Sequence, residues 1–359
     1  MKYDIAEFEK RVEEGFLRKS EKGDLVLYGY TDKCTFDRAW DEYTRVARGL
    51  ILNKNTGQVV AKPFPKFFNL GEMEETFLTN LPTCGYKAYE KVDGSLGIIF
   101  YYDGEWQVST RGSFYSDQAV MGKEILAQYD MSLVPKTLTL LAEIIYPENK
   151  IIVNYGQDRM LVLLGSFDTN GHEYSHITLQ GLADYTGMPL AKAYDYTIQD
   201  MITLQEHLKK DEEGFVVRFD NGLRVKIKGK EYLRIAKLMS SLSPLALWET
   251  MKDGKVDTFY LQQLPEELRA DYEPYVVQLE QQYELIKLEI AESVNEVLQA
   301  TSPNGFGDNW RKDVGLYLND HDLKHSSAVF PVLLNNNIAL SKYIMKQIRP
   351  TGNAIRSFE

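Results

Sequence analysis

Residues 90–95, Glu90-Lys91-Val92-Asp93-Gly94-Ser95, stand between an alternating run, Tyr86-Lys87-Ala88-Tyr89, and an apolar segment, Leu96-Gly97-Ile98-Ile99-Phe100. Two readings compete. Asp-Gly between alternating strands is a strong hairpin signal, which would make the neighbouring charges ordinary turn residues. Alternatively, Lys91 is an amine placed at the junction of two strands to do chemistry. A Lys-x-Asp-Gly match arises by chance in roughly one chain in ten of ordinary composition, so the stretch decides only in company.

The 359 residues are 44% hydrophobic and 26% charged, with 23 Tyr and 16 Phe, which describes a folded chain long enough for two or three domains. Cys34 and Cys84 are too few and too far apart for a disulfide framework or a cysteine zinc site, which fits a reducing compartment. Met1-Lys2-Tyr3-Asp4-Ile5 lacks the apolar core of a signal peptide, and no apolar run approaches a bilayer's thickness. A cytoplasmic protein with no membrane partner is expected. The net charge of −11 opposes indiscriminate attraction to phosphate backbones, so a nucleic-acid partner must be held by a local basic site.

No internal repeat, low-complexity tract or Gly/Ser linker interrupts the chain. Up to about residue 240, strands are expected at 25–28, 49–52, 96–102, 106–108, 138–145, 151–153, 161–167, 215–219 and 223–227. Asp103-Gly104, Asn170-Gly171 and Asn221-Gly222 supply hairpin turns, and strands joined so closely run antiparallel. This part is α+β. Helices are expected at 116–129 and at 203–208, the latter with Thr203 as N-cap and Glu206 closing a capping box. Beyond residue 240, Val276, Leu279, Tyr283, Ile286, Ile290, Val294 and Val297 form one apolar helical stripe, with Glu280, Glu284, Glu289, Glu292 and Glu296 on a solvated face. A further helix is expected over 335–348. The domains are therefore 1–240, mixed, and 241–359, helical.

Among motifs for chemistry, no P-loop, zincin pair or nucleophile elbow is present; His321 and His325 are four apart and read as surface packing. Charged residues at strand ends remain. Glu143 interrupts the apolar run 140–145, where an unpaired carboxylate would cost several kcal/mol; an edge strand facing water is the plain alternative. Glu213 stands at the mouth of the apolar strand 215–217, less easily explained as a solvated acidic loop than Asp211 and Glu212. Arg224, Lys226 and Lys228 share one strand face and repel one another unless solvent or an anion neutralises them.

These pieces fit one reaction. A lysine amine is a poor nucleophile at neutral pH, but nearby cations and partial burial bring it into range. Lys91 beside Lys226 and Lys228 would be such a lysine. The same cations, with a divalent metal on carboxylates such as Glu213, would neutralise a phosphate under attack.

Lys91-Val92-Asp93-Gly94, Glu143 with 149–153, 213–217 and Lys226-Ile227-Lys228 occur in the order and spacing of the covalent nucleotidyltransferase superfamily of ligases and capping enzymes. Within it the chain resembles the phage-type ATP-dependent RNA ligases, in the branch that repairs tRNA. Arg48-Gly49, Lys66-Phe67-Phe68-Asn69-Leu70 and Arg111-Gly112-Ser113 with Ser116-Asp117-Gln118-Ala119 resemble that branch's further signatures. The resemblance spans about residues 25–235 and fades afterwards.

It implies an antiparallel-sheet, ATP-grasp-like nucleotidyltransferase domain followed by an all-helical domain serving RNA specificity. It implies ATP and Mg2+ or Mn2+ as cofactors, and RNA with 5′-phosphate and 3′-hydroxyl ends, including tRNA, as substrate. Lys91 would carry AMP, with Lys226 and Lys228 on the α-phosphate. Glu143 would meet the nucleoside's ribose and, with Glu213, serve a metal. Arg48, Lys66 and Arg111 would face the β and γ phosphates or the RNA end, and Tyr30 would stand near the triphosphate. The branch has lysine where Arg111 stands, so the charge is kept and the geometry changed.

Capping enzymes and DNA ligases, which would use the same Lys91, carry an OB-fold after the last motif, whereas this chain continues in helices. A relative that binds RNA without sealing it is the other alternative. The terminal basic residues Lys342, Lys346, Arg349 and Arg356 are either an RNA contact or an ordinary solvated helix. No kinase or phosphatase motif is visible, so a separate end-healing enzyme is expected as partner. A monomer is favoured, in the host cytoplasm if a phage encodes it.

Overall fold

A computed structural model of the chain describes residues 1–240 and 242–351; Arg356, named above as basic, lies outside them. The chain forms two compact units, Met1–Leu233 and Arg234–Glu359.

The first unit holds strands β1 (Leu17–Lys22), β2 (Leu25–Tyr30), β3 (Arg48–Asn53), β4 (Val59–Ala61), β5 (Phe68–Asn69), β6 (Tyr86–Glu90), β7 (Ser95–Tyr102), β8 (Glu105–Thr110), β9 (Thr139–Ile145), β10 (Met160–Phe167), β11 (Ala193–Tyr194), β12 (Gly214–Phe219) and β13 (Arg224–Lys228). They make three sheets, ordered β1-β2-β3-β4, β10-β9-β7-β8 and β11-β6-β12-β13-β5. All pairings are antiparallel except β13 with β5.

The first two sheets share a core in which Leu25, Leu27 and Ile51 meet Ile98, Phe100 and Leu141. The far face of the first sheet is closed by helix Ile5–Glu13 through Phe8, and that of the second by helices Asp117–Leu126 and His176–Thr186 through Ile125 and Leu179. With both faces covered, β2 and β9 are buried along their whole length, which is why they read as continuous apolar runs. Each such side chain contributes about 1.5–3 kcal/mol by burial.

The hairpin reading of residues 90–95 fails. β6 pairs with β11 and β12, whereas β7 pairs with β8 and β9. Residues 91–94 thus carry the chain from the third sheet to the second, and Lys91 lies at the crossing. The Asp103-Gly104 turn does close a hairpin, with φ of 51° and 85° at its two positions, the mirror-image turn that matches strand twist.

Two local expectations are corrected. Residues 151–153 form a bend rather than a strand, because the backbone N–H groups of Ile152 and Val153 both donate to Asp93 Oδ2 at 2.9 Å instead of to a neighbouring strand. The helix expected from Thr203 begins earlier, as Ile198–Leu204, with Thr197 and Asp200 forming the capping box; Thr203 lies in its last turn and donates to the Gln199 carbonyl.

The second unit is helical. Helix Glu273–Thr301 packs against Trp310–Asp320, Ser326–Leu333 and Asn337–Gln347, burying Val276, Leu279, Tyr283, Ile290, Val294 and Val297. The expected 335–348 helix starts at Asn337, with Asn336 as its N-cap. Four of the five glutamates assigned to a solvated face are engaged: Glu280 accepts from Lys255 and the Val256 backbone, Glu284 from Lys287, Glu289 from Lys324 and His325, and Glu296 from the Tyr317 hydroxyl. His325 is itself buried, between Glu289 and Tyr343. No helix among the described residues is long and apolar enough to cross a membrane.

Gly214 holds the strand end beside Lys91. Its φ is 140°, and a Cβ there would strike the Ile227 carbonyl. We expect Gly214→Ala to cost about 2 kcal/mol or more, read as a lowered urea midpoint with unchanged slope; an unchanged midpoint would show that the strand end is free to relax.

Candidate active site

Lys91 is fixed at both ends. Its backbone N–H donates to the Gly214 carbonyl at 2.8 Å, and its Nζ meets Glu213 Oε2 at 2.7 Å. Glu213 Oε1 in turn accepts from Lys228 Nζ at 2.8 Å. The Glu213 side chain is 3% exposed against 21% for Lys91 and 23% for Lys228. One buried carboxylate therefore bridges two ammonium groups that reach toward solvent.

Asp93 supports this crossing from below. Its Oδ2 accepts the two backbone N–H groups of residues 152 and 153, its Oδ1 accepts the Tyr232 hydroxyl at 2.8 Å, and its own N–H donates to the Tyr155 hydroxyl. A buried carboxylate with this many donors is satisfied and rigid. The Lys-x-Asp-Gly pattern pointed to Asp93 without its role, since those donors come from segments remote in sequence.

Lys226 is the third cation. Burial pushes its pKa down to about 7, helped by repulsion from Lys66, Lys228 and Lys91. Arg224, on the same strand, is neutralised differently: it pairs with Glu173, which also binds Arg218, and lies 4.1 Å over the Phe64 ring. The three-cation face of β13 is thus divided.

Glu143 lies on β9 between β7 and β10, opposite Leu96 and Val162, which removes the edge-strand alternative. Burial pushes its pKa up to about 7, against the pull of Lys91 and Arg48.

On the first sheet, Arg48 is drawn down in pKa by burial, and its Nη1 is buried with no hydrogen-bond partner. An unpartnered guanidinium N–H costs on the order of 1–3 kcal/mol, which an anion would recover. Arg111 Nη1 donates to the Tyr30 hydroxyl at 3.1 Å. Lys66 lies over the rings of Tyr30, Trp40 and Phe68 at 5.2, 5.2 and 5.3 Å. Burial works to raise the Tyr30 pKa, but the charges of Lys66, Arg111 and Arg48 and the Arg111 hydrogen bond outweigh it and hold it low.

A cavity of about 590 Å³ is lined among others by Arg48, Phe67, Glu90, Lys91, Arg111 and Glu143, whereas Tyr30, Glu213, Lys226 and Lys228 lie outside its lining. It is large enough for a nucleotide. Lys66 opens instead on a smaller pocket of about 160 Å³ that shares Phe67 and Arg224 with the first. The arrangement sets the Lys91 amine against a buried carboxylate, with Arg48 and Arg111 on the same cavity.

The profile of the RNA ligase family matches residues 46–232, just over half of the chain. The chain belongs to the RNA ligase family. The "Putative bifunctional polynucleotide kinase/RNA ligase" of Autographa californica nuclear polyhedrosis virus is 30% identical over 285 residues, covering 70% of this chain and 39% of the viral protein. The chain thus spans well under half of that relative's length. The "RNA ligase" of Rhodothermus phage RM378 is 23% identical over 383 residues, covering 86% of this chain and 85% of the phage protein. Among solved structures, an archaeal ATP-dependent RNA ligase superposes with a TM-score of 0.47 at 14% identity, over 79% of each chain.

Because the Glu143 pKa rises from 4.5 to about 7 on folding, the folded state binds more protons across that interval, so stability falls as pH rises through it and stays lower above. Glu143→Gln removes the burden. The variant is expected to gain on the order of 2–3 kcal/mol relative to the parent at pH 8 compared with pH 5, measured by urea unfolding. Equal differences at both pH values would show that Glu143 is not a buried charge.

Proposed function

We propose that this chain is an ATP-dependent RNA ligase that joins 5′-phosphate and 3′-hydroxyl RNA ends through lysyl-AMP and RNA-adenylate intermediates, in RNA or tRNA repair. The observation that carries the reading is the Lys91–Glu213–Lys228 bridge, whose Lys91 lines a nucleotide-sized cavity, in a member of the RNA ligase family.

In the first step the Lys91 Nζ lone pair attacks the α-phosphorus of ATP. A P–N bond forms, the bond to the bridging oxygen breaks, and pyrophosphate leaves with its electron pair. The amine must shed a proton, and Glu213 Oε2 at 2.7 Å is positioned to accept it. Lys226 and Lys228 neutralise the α-phosphate, and Arg48, Lys66 and Arg111 the departing phosphates or the RNA end, with Tyr30 held among them. In the second step a 5′-phosphate oxygen of RNA attacks the same phosphorus, breaking the P–N bond and returning the amine. In the third, the 3′-hydroxyl attacks the RNA phosphate, a new phosphodiester forms and AMP departs.

The described residues contain no group of three or more His, Cys, Asp or Glu side chains arranged to hold a metal. The donor set therefore suits a magnesium or manganese ion that arrives on the triphosphate, with Glu213 and Glu143 as the carboxylates available to it. When bound, such an ion neutralises the leaving phosphates.

The first unit serves as the adenylyltransferase and the helical unit as the region for RNA specificity. End healing falls to a separate kinase and phosphatase; the viral relative's name joins a polynucleotide kinase to a ligase in one chain. The regular elements described beyond residue 240 are helices, which favours this reading over a capping enzyme or DNA ligase.

Protein incubated with labelled ATP and magnesium should become labelled, and Lys91→Ala should not. Lys226→Ala and Lys228→Ala should each slow labelling by about 10²-fold. Labelling by GTP alone would choose a capping enzyme, and a gel shift of 5′-phosphorylated RNA without joining would choose a silent binder. Because Lys226 titrates near 7 and a bound phosphate favours its charged form, ATP binding at neutral pH should take up protons. Calorimetry in buffers of different ionisation enthalpy reads this, and the uptake should vanish in Lys226→Ala.

A further inference from the structure

Arg18 belongs to none of the motifs above, yet it lines the same cavity as Lys91 and Arg111. It stands on β1 opposite Gly29 of β2, which in turn stands opposite Arg48 of β3. The row therefore reads Arg-Gly-Arg across three strands. The glycine in the middle admits another segment: a Cβ on Gly29 would lie 2.8 Å from the Arg111 carbonyl oxygen. The strand end carrying Arg111 thus packs into a gap between two arginines.

The contact is close on its other side too. The Arg18 guanidinium lies against Gly112, where a Cβ would collide with its Nη2. Gly112 does not have the left-handed backbone that by itself favours glycine; a side chain there would push the Arg18 guanidinium aside. Arg18 and Arg111 are both exposed, and among the described residues no carboxylate pairs with either. Other arginines of this unit do have acidic partners, as Arg11 has Glu7 and Asp41 and Arg45 has Glu75. Two guanidiniums without a carboxylate, lining one cavity with the half-buried Arg48, offer donors suited to phosphate oxygens.

We infer that Arg18, together with Arg111, binds a phosphate group at the exposed end of the cavity. The site is distinct from the Lys226 and Lys228 pair, and identifying its ligand rests on the ligase reading. That ligand is either the terminal phosphates of the nucleotide or the 5′-phosphate of the RNA end, which share the chemistry that two guanidiniums recognise.

The test is direct binding to the intact chain, so it does not depend on catalysis. One arm titrates inorganic pyrophosphate. The other compares a 5′-phosphorylated oligoribonucleotide with its 5′-hydroxyl counterpart. Arg18→Ala should weaken one of the two by about tenfold or more: pyrophosphate if the site serves the nucleotide, or the 5′-phosphate preference if it serves RNA. Gly112→Ala should reproduce the loss by displacing the guanidinium, and Arg18→Lys should restore part of the affinity. Lys10→Ala, an exposed lysine on the first helix, controls for net charge. If Arg18→Ala leaves both arms within twofold of the parent, the site does not exist, whatever the labelling of Lys91 shows. If Lys91 is never labelled but Arg18→Ala weakens pyrophosphate binding, the phosphate site stands and the ligase reading falls.

Discussion

The first unit depends on one buried carboxylate held between two ammonium groups. Glu213 would be costly where it stands without partners, because desolvation of a lone carboxylate exceeds what packing returns. Lys91 and Lys228 supply that compensation, and in doing so are fixed relative to each other. The Lys91 amine is thereby oriented by charge rather than by a tight apolar slot. The same contact keeps a carboxylate oxygen within hydrogen-bond distance of that amine.

Around this bridge the electrostatics are deliberately uneven. Glu173 takes up Arg218 and Arg224 and removes them from the active cluster. Among the described residues, Lys226, Arg48 and Arg111 have no carboxylate of that kind, and burial pushes the Lys226 pKa down to about 7. Under-compensated cations are unstable alone and more stable with an anion. Stability given up in this way is common where a site is built for charge that arrives with a ligand.

The crossing at residues 91–94 shows how local signals misled. Asp93-Gly94 has the composition of a hairpin, but Asp93 spends its side chain on backbone N–H groups at 152 and 153 and on the Tyr232 hydroxyl. Those partners also account for the lost strand at 151–153, since a backbone donating to a carboxylate cannot complete a ladder. Asp103-Gly104 carries the same dipeptide and does form the turn, because its flanking strands lie in one sheet. The helix expected from Thr203 is capped six residues earlier, by Thr197 and Asp200, and buries Met201 in the turn that follows.

What the sequence alone determined was everything with a short period or a local cause. The long strands at 25–30, 95–102, 139–145, 160–167 and 214–219, the Asp103-Gly104 turn, the apolar stripe of the long helix and the order of the charged motifs follow from residue type and spacing, whereas the short strands at 59–61 and 193–194 carry no such signal. Which strands pair, and which charges meet, was decided only by the tertiary structure. Lys91 and Glu213 are 122 residues apart, and no local rule distinguishes the cation that finds a carboxylate, as Arg224 does, from one that is left for a ligand. Compensation of charge is a property of space, and only the packed sheets bring the partners within reach.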